Sequence, residues 1–274
     1  MQLILNKTII SEDEACINVK DRGFLLGDGL FETCKIQNYH IEFFDKHYER
    51  LATSANALMI SFEYDCQDLK NNCMELIKKN KLETGNAVMR ISLTRGIGLR
   101  GINLPEKSKP TLLITVVPYQ PPSQEHTIRA MITGITRNPA SAITKFKTLN
   151  CLEPVLARQE AQANGFDEGI MLNTNGYIAE CSVANIFMIK NNKIITPSIE
   201  SGILPGIVRN HIISMCLENN FSVSEKLVSI DEILSAEEVF QTNSLIGIQS
   251  ISQINKTNYK THVVKKLIEL YKKG

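Results

Sequence analysis

The sequence predicts an α+β protein of two domains, on three observations. Its 274 residues exceed the ~150 expected of a single domain. Strand and helix patterns mix without the strict βαβ alternation of a doubly wound sheet. Pro118, Pro121, Pro122 and Ser123 cluster near the middle of the chain, the punctuation of an interdomain linker. The expected domains are therefore 1–120 and 121–274.

The first third reads mostly as strand. Residues 2–6 and 8–10 flank Asn6-Lys7-Thr8, a hairpin turn. Residues 44–58 place Phe44, Tyr48, Leu51, Ala55 and Leu58 on one helical face, and 67–81 do the same with Leu69, Cys73, Leu76 and Ile77. Lys78, Lys79 and Lys81 close that second helix, where cations suit the helix dipole. In 86–94, Ala87, Met89, Ile91 and Leu93 recur at period two, a half-buried strand. The near-continuous apolar run 111–117 is a central strand. Beyond the linker come a strand at 127–135 and an extended 140–148, separated by Asn138-Pro139. A helix at 152–164 has Pro154 in its first turn and Gly165 just past its end. Strands at 169–173, 177–182 and 185–190 follow, the first two joined by Thr174-Asn175-Gly176, a hairpin signal. Another helix opens at Gly206-Ile207-Val208. Ser229-Ile230-Asp231-Glu232 has the form of a capping box. A strand at 238–242 and an amphipathic helix at 261–272 end the pattern.

Charge and composition narrow the function. Thirty basic and 29 acidic residues leave a net charge of +1, against the basic excess of a nucleic-acid binder. Trp is absent and aromatics are 6%, so stacking platforms are hard to build. The seven cysteines are scattered without a C-x-x-C pair, which reads as reduced thiols in a cytoplasmic protein with no metal site. No run approaches the ~18 apolar residues of a membrane span. A small-molecule site is the expectation, with neither nucleic acid nor membrane as partner.

One motif misleads. Gly96-Ile97-Gly98-Leu99-Arg100-Gly101 is a literal G-x-G-x-x-G after a good strand, but a dinucleotide site needs a helix immediately after it. Here the chain runs on through Pro105 to Pro110 with no helical pattern. The plainer reading is a glycine loop carrying Arg95 and Arg100, whose guanidinium groups are either solvated or forked onto a carboxylate.

Four segments gain meaning only together. They are Asp21-Arg22-Gly23-Phe24 with Gly27-Asp28-Gly29-Leu30-Phe31-Glu32-Thr33; His47-Tyr48-Glu49-Arg50-Leu51; Lys147-Thr148-Leu149-Asn150; and the stretch from Gly165-Phe166-Asp167-Glu168 through Glu180 and Asn185 to Leu204-Pro205-Gly206-Ile207-Val208-Arg209. In this order and spacing they resemble the fold-type IV pyridoxal-phosphate enzymes, the class IV aminotransferases, over essentially the whole chain. The resemblance implies a D-amino-acid-aminotransferase-like fold, pyridoxal 5'-phosphate as cofactor and a homodimer.

It also assigns roles. Lys147 matches the lysine that carries the cofactor and moves the proton, here in the C-terminal domain. The family's order of lysine, any residue, leucine, asparagine fits Lys147 and not Lys145, its rival on the same face of the extended segment. Glu180 matches the carboxylate paired with the pyridine nitrogen. Arg50, the amides of Ile207 and Val208, and Ser244 match the phosphate site, with Thr242 and Asn243 as neighbours able to share that work. His47 is expected to be structural. Arg100, Phe31, Arg95 and Asn243 match positions around the substrate, with Arg95 mainly ordering its loop.

Three activities dominate the family: branched-chain aminotransferase, D-amino-acid aminotransferase and 4-amino-4-deoxychorismate lyase. The loop Arg95–Gly101 looks like that of the lyases, though Ile102 stands where they often carry an aromatic residue. D-amino-acid enzymes place a histidine two residues after the arginine, and Ile102 replaces it. Phe31-Glu32-Thr33 and Thr242-Asn243-Ser244-Leu245 also look most like the lyases. The resemblance therefore implies release of 4-aminobenzoate and pyruvate, a step toward folate, with transamination of D- or branched-chain amino acids as the alternative.

Overall fold

Alternating apolar residues build the N-terminal unit, Met1–Pro121 with Phe146–Asn150. The computed structural model describes residues 1–123 and 126–273. In it β1 (Gln2–Leu5) and β2 (Thr8–Ser11) form the expected hairpin, with Asn6 at φ 58° in its turn, a conformation asparagine tolerates. A short helix, α1 (Arg22–Leu26), precedes β3 (Gly29–Gln37) and β4 (His40–Ile41). Then come α2 (Phe44–Ala57), α3 (Cys66–Lys79), β5 (Asn86–Thr94) and β6 (Thr111–Pro118). The six strands form one antiparallel sheet in the order β2-β1-β6-β5-β3-β4.

Period two decides what each face of this sheet does. Ala87, Met89, Ile91 and Leu93 of β5 are buried in one core with Leu30, Cys34 and Ile36 of β3. The apolar stripes of α2 and α3 pack into the same core through Phe44, Leu51, Leu69, Cys73, Leu76 and Ile77. Burial pushes the Cys73 thiol up to about 12, so it behaves as a small core hydrophobe. Phe31 and Thr33 point to the opposite face and are half-buried.

The C-terminal unit, Pro122–Lys145 with Cys151–Gly274, begins with β7 (Ile128–Arg137) and α4 (Leu152–Ala163). β8 (Glu168–Asn173), β9 (Ile178–Cys181), β10 (Asn185–Lys190) and β11 (Lys193–Pro197) follow. After α5 (Ile207–Glu218) come β12 (Ser222–Lys226), α6 (Ile230–Leu234), β13 (Glu238–Asn243), β14 (Gly247–Ile254), β15 (Thr257–Asn258) and α7 (His262–Tyr271). Its nine-stranded mixed sheet runs β12-β11-β10-β13-β14-β7-β8-β9, with β15 on β14. The capping box at α6 is complete: Ser229 Oγ accepts from Glu232 N at 3.2 Å, and Glu232 accepts from Ser229 N at 3.0 Å. No helix among the described residues is long and apolar enough to cross a membrane.

Two expectations fail at residues 140–148. The segment is not extended, because Ala142–Lys145 closes a 3-10 turn in which Ser141 O accepts from Thr144 N and Oγ1. Lys145 ends that turn, exposed, so it shares no strand face with Lys147. Nor does Lys147 group with the C-terminal unit. Lys147 O accepts from Phe31 N at 2.9 Å and Leu149 N donates to Gly29 O at 3.0 Å. Those bonds stitch Phe146–Asn150 to the start of β3, within the N-terminal unit.

Candidate active site

In the N-terminal unit the sheet pleat sorts neighbouring residues of β3 to opposite faces. Glu32 falls on the core face and is 1% exposed. Helix α2 presents His47 and Arg50, three residues apart and so on one face. Arg50 grips the Glu32 carboxylate with two parallel bonds, Nε to Oε1 and Nη2 to Oε2, both 2.7 Å. His47 Nδ1 lies 2.7 Å from Oε2. Burial raises the pKa of Glu32, but the hydrogen bonds and charge of Arg50 and His47 outweigh it and hold the carboxyl below its ordinary 4.5.

On the other face, Lys147 Nζ stands 4.4 Å from the centre of the Phe31 ring. The Arg90 guanidinium carbon is 3.9 Å from that centre. The ring thus lies within cation–π distance of both side chains. Asn150 Nδ2 donates to Gly27 O at 3.1 Å, tying the far end of the lysine segment to the turn before β3.

In the C-terminal unit, Glu180 lies in β9 and is buried. Its Oε1 accepts from Arg137 Nη1 at 2.5 Å. Oε2 accepts from Leu204 N at 3.1 Å and from Asn185 Nδ2 at 3.1 Å. Asn185 pairs with Thr242 across β10 and β13, and a Cβ added at Gly206 would sit 2.0 Å from Asn185 Oδ1. Glycine at 206 therefore lets the start of α5 approach Asn185 closely. That helix has Gly206 as N-cap and no side-chain cap, which leaves the amides of its first turn without a side-chain acceptor. Thr242 Oγ1 is buried with no hydrogen-bond partner among the described residues.

Arg95 and Asn243, which the resemblance sets around the substrate, make structural contacts of their own. Arg95 is buried, with Nε and Nη2 on Asp28 at 2.8 and 3.0 Å, Nη1 on Met59 O at 2.7 Å and Nη2 on Leu58 O at 2.9 Å. It orders the loop rather than facing a ligand. Asn243 Oδ1 accepts from Leu245 N and Ile246 N, and its Nδ2 donates to Val183 O. It builds the turn between β13 and β14 because an asparagine side chain can mimic a backbone turn. Ser244 sits in that turn, half-buried, and Arg100 is exposed on the glycine loop. Arg137 was missed by the sequence reading. It ends β7, and its only sequence signal is an arginine just before Asn138-Pro139.

The comparisons with known proteins place the chain in a family. The amino-transferase class IV family model matches residues 29–254, and the chain belongs to that family. It is a pyridoxal-phosphate-dependent enzyme. It is 29% identical to the aminodeoxychorismate lyase of Bacillus subtilis, over 94% of this chain and 88% of that protein. It is also 29% identical to the D-alanine aminotransferase of Bacillus licheniformis, over 93% and 89%. The branched-chain aminotransferase of Thermoproteus uzoniensis superposes with a TM-score of 0.94 at 25% identity, covering 100% of this chain and 94% of that one.

The residues present fit the cofactor's phosphate. An uncapped helix start suits an anion, and the Thr242 hydroxyl is buried with no hydrogen-bond partner among the described residues.

Glu32 gives a test of this geometry. Its lowered pKa means that its contribution to stability is complete above the ordinary 4.5 and is lost as pH falls through the folded-state value. Glu32→Gln breaks a buried ion pair and should cost about 3–5 kcal/mol at pH 7. It should also flatten the acid limb of stability against pH. Urea denaturation between pH 3 and 7 measures both, and an unchanged acid limb would show that Glu32 does not titrate with folding.

Proposed function

We propose that the protein is a 4-amino-4-deoxychorismate lyase that forms 4-aminobenzoate and pyruvate. The observation that carries this reading is the glycine loop. Arg95 is locked inside while Arg100 projects from the loop, exposed, and makes no ion pair among the described residues. A forked guanidinium suits the ring carboxylate or the enolpyruvyl carboxylate of such a substrate. The similarity to the Bacillus subtilis lyase supports it. So does a Legionella pneumophila structure named for a 4-amino-4-deoxychorismate lyase, 32% identical with a TM-score of 0.88 and covering 96% of this chain. The second reading, transamination of D- or branched-chain amino acids, is favoured by the likeness to the D-alanine aminotransferase.

Bound pyridoxal phosphate supplies an electron sink for the carbon that bears the amino group. Lys147 would hold it through Nζ and, with the substrate amine in place, would take the proton from that carbon. Loss of the proton would let the neighbouring enolpyruvyl oxygen depart as an enolate, the substrate ring becoming aromatic and protonation of the enolate giving pyruvate. Glu180, fixed by Arg137, Asn185 and Leu204 N, would keep a proton on the cofactor's ring nitrogen. Arg50 gives the phosphate a charge-assisted contact, with its guanidinium plane set by Glu32. The amides of Ile207 and Val208 give it neutral donors, and Ser244 and Thr242 give it hydroxyls. Phe31 steers Lys147 through its ring face. Arg100 binds a substrate carboxylate.

The assembly is a homodimer on this reading. Phe24, Leu25, Leu99 and Ile102 are 76%, 57%, 89% and 82% exposed on the N-terminal unit. A partner copy covering α1 and the glycine loop would withdraw these apolar side chains from water.

Holoenzyme reduced with borohydride and digested should carry its pyridoxyl label on Lys147. Lys147→Ala should lose nearly all turnover, and Lys145→Ala should keep it. A label on Lys145 would overturn the assignment.

Side-by-side assays separate the two activities. 4-Aminobenzoate and pyruvate should appear from aminodeoxychorismate, and Arg100→Leu should raise its KM by one to two orders of magnitude, the scale of a charged hydrogen bond of about 1.5–3 kcal/mol. Rapid 2-oxoglutarate-dependent consumption of D-alanine, leucine or isoleucine without 4-aminobenzoate would sink the lyase reading.

Light scattering should give a particle of twice the chain mass, reduced to one by Phe24→Asp with Leu99→Asp. A wild-type monomer would remove the dimer.

A further inference from the structure

The segment Gly96–Asn103 has no helix or strand of its own, yet a buried cation holds it from one side. Arg22, in the first turn of α1, is 4% exposed. Its Nε donates to Asp28 Oδ2 at 2.8 Å. Nη1 donates to Gly101 O at 3.2 Å and Asn103 O at 3.1 Å, and Nη2 donates to Ile102 O at 3.2 Å. One guanidinium therefore gathers three consecutive carbonyls immediately after Arg100. The backbone reinforces it: Arg22 N donates to Gly96 O at 2.8 Å and Gly98 N to Lys20 O at 3.3 Å.

The glycines of the loop make room for this. A Cβ at Gly98 would lie 2.7 Å from Arg22 Cδ, and one at Gly96 would lie 1.8 Å from Lys109 O. Gly101 takes φ +99°, where a side chain is strained. The spacing that imitates a dinucleotide fingerprint is thus set by the passage of Arg22 and by the turn beyond Arg100. Asp28 joins the two ends of the device. Its carboxylate accepts from Arg22 and from Arg95, so the loop's base and its far side share one anion.

We propose that Arg22 is a positioning residue for substrate specificity: by gathering the carbonyls of Gly101, Ile102 and Asn103 it fixes the curvature that presents Arg100 to a substrate carboxylate. The proposal rests on the assignment of Arg100 given above. Only a planar fork with several donors serves three carbonyls and a carboxylate at once, which a lysine ammonium on a flexible stem does not. A loop ordered before binding spares the substrate the entropy of ordering it. Loss of the clamp therefore acts on KM and leaves proton transfer at Lys147 alone.

The test uses holoenzyme of wild type, Arg22→Met, Arg22→Lys, Arg100→Leu and the Arg22→Met/Arg100→Leu pair. Two quantities are read: amide hydrogen exchange across 96–104, and kcat and KM for aminodeoxychorismate (D-alanine if the paired assays select it). Arg22→Met should speed loop exchange about tenfold or more and raise KM about tenfold with kcat within about twofold. Arg22→Lys should not rescue either quantity, and the double variant should have the KM of Arg100→Leu alone. Unchanged loop exchange in Arg22→Met overturns the proposal, as does a wild-type KM there while Arg100→Leu raises it, or a double variant whose effects multiply. A wild-type KM in Arg100→Leu overturns the assignment of Arg100 instead, and the proposal falls with it. Should Arg22→Met fail to fold, Gly98→Ala pushes the same side chain out from under the loop, and the same outcomes decide.

Discussion

Glu32 lies on the core face of a central strand, almost wholly withdrawn from water, and a carboxylate there has to be paired or neutralised. Arg50 and His47 do the pairing from α2. To reach it they must be three residues apart on a helix, and that helix must pack its apolar stripe on the same sheet. The pairing consequently fixes the rotation of α2 on the sheet, and with it the direction of the one guanidinium assigned to the cofactor's phosphate. The next residue back along β3, Phe31, turns to the other face and meets Lys147. One pleat therefore separates the Glu32–Arg50–His47 cluster from Lys147.

The same constraint recurs wherever the chain buries charge. Asp28 is partly buried, which disfavours its ionisation. The hydrogen bonds and charges of Arg95 and Arg22 outweigh that and hold its carboxyl below its ordinary value. Glu180 is met by Arg137, an asparagine and a backbone amide. Glu168 is buried, which pushes its carboxyl up against the pull of Arg158 and Ser182. In each case a carboxylate is held by groups from separate segments, so the pair orients two pieces of backbone at once. Replacing such a pair with apolar residues could preserve stability, but the segments would lose the fixed angle between them.

Donors are also left over, and these point toward the function. Among the described residues Thr242 Oγ1 is buried without a partner, and α5 begins at a glycine with no side-chain cap. Both would be costly if nothing ever satisfied them. A tightly bound phosphate would satisfy both, which is why the family's cofactor suits this chain on physical grounds as well as by likeness.

The sequence by itself determined the elements whose patterns are local. The stripes of α2 and α3, the alternation of β5, the capping box at Ser229 and the hairpin signal at Asn175-Gly176 each depend on residues a few places apart. It also determined the family, because Arg50, Lys147, Glu180 and the start of α5 keep their order and spacing along the chain. Tertiary structure decided what depends on distant partners. Residues 140–148 read as extended because their mixed polarity carries no helical period, while the 3-10 turn over Ala142–Lys145 is too short to show one. Arg95 is expected to order the glycine loop, but the partners by which it does so, Asp28, Leu58 and Met59, lie far along the chain. Asn243 resembles a ligand-binding residue until the turn it caps is folded. Arg22 belongs to a segment that marks the family and Arg137 precedes Asn138-Pro139, yet neither position shows its partners, because an arginine's role is set by the carbonyls and carboxylates that folding brings to it.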